Sequence, residues 1–214
     1  MAMYIPHQFN ESRLPILHEA IRLARLATLV TMTRDGLVAT HLPLLLDPDR
    51  GPNGTLAGHV ARANLQWRDT VEDSDALAIF LGPESYISPS WYATKRETGK
   101  VVPTWNYLIV QARGRPRVIT DAGWLRMQIE ALTRKKEAER AAPWAVSDAP
   151  DDFVAAQIRQ IVGVEIEIAD IRGKWKVSQN RKAEDRAGVI AGLSAEPDEG
   201  AAEMAGIVEQ TGPA

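Results

Sequence analysis

Trp91, Tyr92, Trp105 and Tyr107 crowd into one stretch, SPSWYATKRETGKVVPTWNY (residues 88–107), of a chain that is only 6 % aromatic. Lys95, Arg96 and Lys100 lie between them. Aromatic faces in a turn-rich segment are costly to leave in water, so these rings belong in an interface or against a planar ligand. A packed core has no use for the cations, whereas the phosphate of a flat anionic ligand does. Thr104 and Asn106 add hydrogen-bonding groups beside Trp105. The same texture returns in GKWKVSQN (173–180), where Trp175 stands with Lys174, Lys176, Ser178, Gln179 and Asn180. Two such clusters, remote in sequence, suggest one composite site for a flat anionic ligand, with sharing between subunits as one way to build it.

A second candidate is GHVARAN (58–64), which runs from a strand into a turn. Free backbone N–H groups at a helix start favour an anion, and Arg62 adds a bidentate contact to phosphate. The rival reading pairs Arg62 with an acid and makes Asn64 a helix cap. His41 and His59 sit in apolar strand patterns, where a lone histidine is more often structural than a ligand. With His7 and His18 they form no metal-binding spacing. No nucleophile elbow, Walker loop or dinucleotide fingerprint is present, and no catalytic residue is identified. Glu165 and Glu167 alternate with Val164, Ile166 and Ile168 and read as a solvated strand face. Arg113, Arg115 and Arg117 fall on one side of a strand. They read as a charged edge against aggregation, or alternatively as a phosphate contact.

The elements that position these residues follow from periodicity. NESRLPILHEAIRLAR reads as a helix capped by Asn10 or Ser12, with Pro15 in its first turn. ATLVTMT, RDG and LVATHLPLLLD form a hairpin signature. TLAGHVAR and DALAIFLG read as strands, ANLQWRDTVED as a short helix or loop, and VPTWNYLIVQARGRPRVIT as one long strand with a bulge at Gly114 and Pro116. Asp121 caps a helix that Pro143 ends, DDFVAAQIRQI is a further helix, and VGVEIEIADIRGKWKVSQN gives a strand, a turn and a short strand. The order predicts a mainly β, antiparallel barrel with peripheral helices, not a parallel α/β sheet.

The chain has 214 residues and no cysteine, so disulfides and thiolate chemistry are excluded. Net charge is −3, which gives no global field toward DNA or anionic lipid; DNA would need a local basic patch. No secretory signal or membrane-length apolar run is seen, and the expected compartment is the cytoplasm. Residues 195–214 lack Lys and Arg, and their composition predicts a disordered or loosely attached acidic tail after a domain spanning 1–194.

Read together, MYIPHQF (3–9), THLPLLL (40–46), GHVARAN (58–64), GPESYISPSWY (82–92), VPTWNY (102–107), IVGVEIEI (161–168) and GKWKVSQNR (173–181) resemble the PaiB-type family, the FMN-binding negative transcriptional regulators. Leu65 departs from the pattern, which tends to have proline there. The resemblance implies a Greek-key split β-barrel of the FMN-binding kind, working as a homodimer with FMN at the subunit interface. It implies that Thr40 and His41 line the isoalloxazine edge, that Arg62 and Asn64 hold the phosphate, and that Trp91, Tyr92 and Lys95 come from a loop over the site. Thr104, Trp105 and Asn106 would contact ring or ribitol, and Lys176, Ser178 and Gln179 would close the site. The alternative is a flavin-dependent oxidoreductase like the pyridoxamine phosphate oxidases or flavin reductases. Haem replaces FMN in some relatives, and in that reading His59 or His7 supplies an axial nitrogen.

Overall fold

The computed structural model describes residues 3–212. In chain order its elements are β1 (Asn10–Glu11), α1 (Leu14–Leu23), β2 (Ala27–Thr33), β3 (Gly36–Leu42), β4 (Leu45–Asp47), β5 (Thr55–Ala61) and α2 (Gln66–Asp69). These are followed by β6 (Ala76–Ile87), α3 (Ala93–Thr98), β7 (Thr104–Gly114), β8 (Pro116–Ile119), α4 (Ala122–Glu137) and α5 (Asp151–Ile158). The last are β9 (Ile161–Glu167), β10 (Asp170–Lys176), α6 (Ala183–Ala195) and α7 (Glu199–Gln210). The chain divides into two compact units: one holds residues up to Leu23, Phe80–Gln111 and those from Arg172 onward, the other Ala24–Ile79 and Ala112–Ile171.

In the first unit the strand order is β1-β10-β7-β6, with Asn10 opposite Lys174 and Glu11 opposite Gly173. Asn10 is thus a strand residue rather than a helix cap. The core of this unit joins Ile87, Tyr92 and Val177 to Val189 and Leu193 of α6 and to Met204, Ala205 and Val208 of α7. The expected loose tail is corrected here. Residues 199–210 are helical because Ala201, Met204, Ala205 and Val208 recur at helical spacing and bury one stripe. Asp198 begins the helix by accepting the Ala201 N–H at 3.0 Å. Residues 213 and 214 lie outside the described residues.

The second unit contains the β2–β3 hairpin, closed by Thr33 opposite Gly36, and a four-stranded antiparallel sheet ordered β4-β5-β9-β8. Gly36 holds φ +116°, which a residue with a Cβ rarely adopts. Asp121 caps α4 as expected, accepting the Trp124 N–H at 2.8 Å. Trp124 lies over Gly163 of β9, where a Cβ would meet the indole at 2.4 Å. Leu125, Val154 and Ile158 make the core beneath α4 and α5.

Three further expectations are revised. The long strand of residues 102–120 is two strands, β7 and β8, parted at Arg115. The last two strands are not a hairpin: β9 pairs with β5 and β8, whereas β10 pairs with β1. Glu165 is buried at 4 % exposure, not on a solvated face. Alternation alone cannot reveal this, because the outward side of a strand is wet only if nothing covers it.

Candidate functional site

In the first unit the two aromatic-and-lysine segments converge. Lys176, at the end of β10, donates to Thr104 Oγ1 and to the Trp105 carbonyl at 2.8 Å. Asn106 Nδ2 donates to Ser178 Oγ at 3.0 Å, and Ser178 Oγ donates back to Asn106 Oδ1 at 3.2 Å. Both residues are buried. Ser178 holds φ +62°, a left-handed backbone uncommon for a residue with a side chain. Gln179 locks this turn: its Oε1 accepts the Val177 N–H at 2.8 Å and its Nε2 donates to the Trp175 carbonyl at 2.6 Å.

Cations gather beside this turn. Lys174 and Lys176 lie 5.4 and 5.9 Å from the Tyr107 ring centre, and Lys174 is 5.6 Å from that of Tyr4. Arg181 stacks 4.7 Å from the Tyr92 ring centre. Among the described residues none of Lys174, Lys176 and Arg181 is in an ion pair. Burial pushes the Lys176 ammonium below the ordinary lysine range, and the Lys174 and Arg181 charges push the same way. Trp105 is half exposed and meets Tyr86 edge to face, ring centres 5.9 Å apart.

Trp91, Tyr92 and Lys95 occupy a helical turn (Pro89–Trp91) and the start of α3, not an open loop. Tyr92, expected over the ligand, is a core residue at 1 % exposure; burial raises its phenol pKa. Trp91 packs on α6 where Gly188 and Gly192 leave room; a Cβ at 188 would come within 1.9 Å of the Trp91 carbonyl oxygen. Asp185 of α6 pins the segment, accepting from the Thr94 N–H at 2.9 Å and the Thr94 hydroxyl at 2.8 Å. Lys95 reaches Ser90 Oγ at 3.0 Å. Sequence reasoning missed Asp185, since nothing along the chain marks a buried acid that holds a distant segment.

In the second unit Thr40 and Asn64 do meet. Asn64 Nδ2 donates to Thr40 Oγ1 at 2.8 Å, and Asn64 Oδ1 accepts the Gln66 N–H at 3.1 Å. The hub is Gln66, which sequence reasoning overlooked. Its Oε1 accepts from Thr40 Oγ1, and its Nε2 is shared among Thr31 Oγ1, the Leu29 carbonyl and the Val38 carbonyl at 3.0 to 3.2 Å. Among the described residues Arg62 pairs with no acid: its Nε and Nη2 end on the carbonyls of Arg159 at 2.8 Å and Ile161 at 3.1 Å. His41 is exposed, with Nδ1 3.0 Å from Thr28 Oγ1. His59 Nδ1 lies 2.6 Å from Gln128 Oε1. Among the described residues no cluster suits a metal ion.

The three arginines of the charged edge are engaged. Arg113 meets Asp170 at 3.3 Å, Arg115 meets Asp73 at 2.6 Å, and Arg117 meets Glu165 at 2.5 Å. Arg50 also binds Glu165 Oε1, at 2.6 Å. The hydrogen bond from Arg50 holds the Glu165 carboxyl below the usual carboxylate range; the one from Arg117 reinforces it against the opposing effect of burial.

The donor set beside Ser178 suits a phosphorylated planar molecule: unpaired cations, exposed aromatic faces and a carbonyl-held lysine. The architecture, antiparallel sheet with peripheral helices, is the split β-barrel of flavin-binding proteins. A flavin-adenine-dinucleotide and haem binding protein of Mycobacterium smegmatis superposes with TM-score 0.57, at 15 % identity over 78 % of this chain and 73 % of that one. A flavocytochrome of Azotobacter vinelandii gives TM-score 0.56 at 16 % identity, covering 85 % and 76 %. Residues 3–170 match the family described as "Putative FMN-binding domain". The chain is 34 % identical to an uncharacterised protein of Emericella nidulans, covering 98 % of each. It is 31 % identical to the protease synthase and sporulation protein PAI 2 of Bacillus subtilis, covering 97 % of each. The chain therefore belongs to this FMN-binding-domain family, and the PaiB-type resemblance of its motifs holds. GKWKVSQNR lies beyond the family match but within the span shared with the Bacillus relative.

Proposed function

We propose that the chain binds FMN without a covalent link, at a homodimer interface, and acts as a flavin-linked negative regulator of transcription. The observation that carries the flavin reading is the unpaired cationic group at Lys174, Lys176 and Arg181 beside the Asn106–Ser178 turn. In this reading those cations meet the phosphate, Trp105 offers its exposed face to the ring, and Thr104 and Asn106 keep Lys176 and the turn in place. In the second unit Thr40, His41, His59 and Asn64 stand as flavin contacts on motif resemblance alone, and Thr40 and Asn64 are already bonded to each other. Arg62, in that unit, can serve a phosphate only through Nη1 or by leaving its two carbonyls. When bound, the flavin supplies electron-transfer chemistry, while these side chains supply orientation and charge.

The homodimer is supported by the exposed Tyr86–Trp105 pair and by Val102, which is 64 % exposed. Direct DNA contact through Arg113, Arg115 and Arg117 would require breaking three ion pairs, so the proposal favours regulation through a partner or small molecule. No described helix is long and apolar enough to cross a membrane. The test is the absorption spectrum of untreated protein, with titration of FMN into the stripped chain. Stoichiometric yellow protein with two chains per sedimenting particle supports the proposal. Absence of FMN binding by calorimetry removes it. Haem is a second reading, favoured by His59: if Nδ1 carries the ring proton toward Gln128 Oε1, Nε2 is left as a ligand atom. A Soret band lost in His59→Ala would select it.

A further inference from the structure

The second unit carries a half-open pocket of about 230 Å³ that the flavin proposal does not use. Its walls are apolar: Leu29 of β2, Val60 of β5, Val164 of β9, Val118 of β8 and the Trp67 ring of α2. Its mouth runs past Val71 and Asp73 to Arg115, all exposed. Apart from Glu72, an exposed carboxylate, the polar groups along the wall are already engaged. Gln66 is bonded at both ends. Thr70 Oγ1 donates to the Gln66 carbonyl at 2.6 Å and lies 3.1 Å from Thr31 Oγ1. The Trp67 indole N–H donates to the Arg62 carbonyl at 3.0 Å. Arg115 at the mouth is tied to Asp73.

We propose that this cavity is a binding site for a small neutral aromatic molecule. An apolar cavity of about 150 Å³ stays dry and takes up benzene, so the volume here admits one substituted ring. Burying a polar or charged head costs free energy unless a partner is supplied; the hydroxyl, amide and indole groups of the wall are already bonded, and the exposed Glu72 carboxylate disfavours an anionic head. The chemistry thus selects an uncharged, largely apolar ring that enters past the Arg115–Asp73 pair. This site does not depend on the flavin reading.

The test uses the full chain, with toluene and benzoate as probes and calorimetry as the readout, with and without saturating FMN. Toluene binds once per chain, and benzoate binds at least tenfold more weakly. Val118→Phe in the wall and Val71→Phe at the mouth, both partly exposed positions, fill the pocket, and each variant that retains the native circular dichroism loses toluene binding. Arg115→Gln retains it, because that exposed side chain stands at the mouth and not among the apolar wall residues. No saturable toluene binding, or binding undiminished in both filled variants, overturns the site. Benzoate binding as tightly as toluene overturns the neutral ligand. Displacement of toluene by FMN overturns a separate site while leaving flavin binding intact.

Discussion

Asn106 and Ser178, 72 residues apart, exchange hydrogen bonds in both directions inside a buried turn. Ser178 makes them from a left-handed backbone, so the turn is held by side-chain bonding against its own conformational preference. Lys176, two residues earlier, is thereby aimed at the Thr104 hydroxyl and the Trp105 carbonyl.

Ser178→Ala removes these bonds and leaves the Asn106 amide buried without a partner, a loss of about 1–3 kcal/mol. Ser178→Gly loses the same bonds but relieves the left-handed penalty of roughly 1–2 kcal/mol. Urea unfolding should therefore rank the glycine variant above the alanine variant. The reverse order would show that the backbone at 178 is not under strain.

Lys176→Met should weaken FMN at least tenfold while leaving riboflavin affinity nearly unchanged, since only FMN carries the phosphate. Burial already disfavours the ammonium, which offsets the loss of its bonds to Thr104 and Trp105, so the stability of the empty protein should change little. Fluorescence titration of both flavins checks this. Equal losses for the two ligands would assign Lys176 to the ring instead of the phosphate.

Glu165 predicts an acid-sensitive step in stability. Its folded pKa is depressed by Arg50 and Arg117, so its contribution is complete above the unfolded carboxylate value near 4.3. That contribution is lost as pH falls through the lower folded value. Glu165→Gln should cost about 1–3 kcal/mol at neutral pH, the arginines being half exposed. It should also flatten stability against pH below about 4. An unchanged acid limb, measured by denaturation at several pH values, would exclude Glu165 as its source.

Met204 tests the C-terminal helix. It is fully buried against α6, and Met204→Ala should cost about 2–5 kcal/mol. Limited proteolysis of the native protein should spare residues 199–210. A neutral substitution together with rapid cleavage there would restore the loose tail that composition suggests.

Much of the fold was legible along the chain. Short β-branched runs, the Arg34–Asp35 turn before Gly36 and the Asp121 cap are local signals, and local geometry follows from them. Glu165 and α7 were misread for a shared reason. Acidic or alternating patterns look solvated unless a covering partner is known, and Arg50, Arg117 and α6 come from elsewhere in the chain. Gln66 carried no signal, because a glutamine becomes a hub only when four distant groups surround it.

By itself the sequence determined the residue types that a flat, phosphorylated ligand needs and the family to which they belong. Tertiary structure alone decided which of them stand together. It paired Thr104–Asn106 with Lys176–Ser178 through neighbouring strands, drew Tyr92 into the core and tied Arg62 to two carbonyls. The physical reason is that strand pairing and burial are long-range: a side chain's partner depends on which strand lies beside its own, and spacing along one chain does not record it.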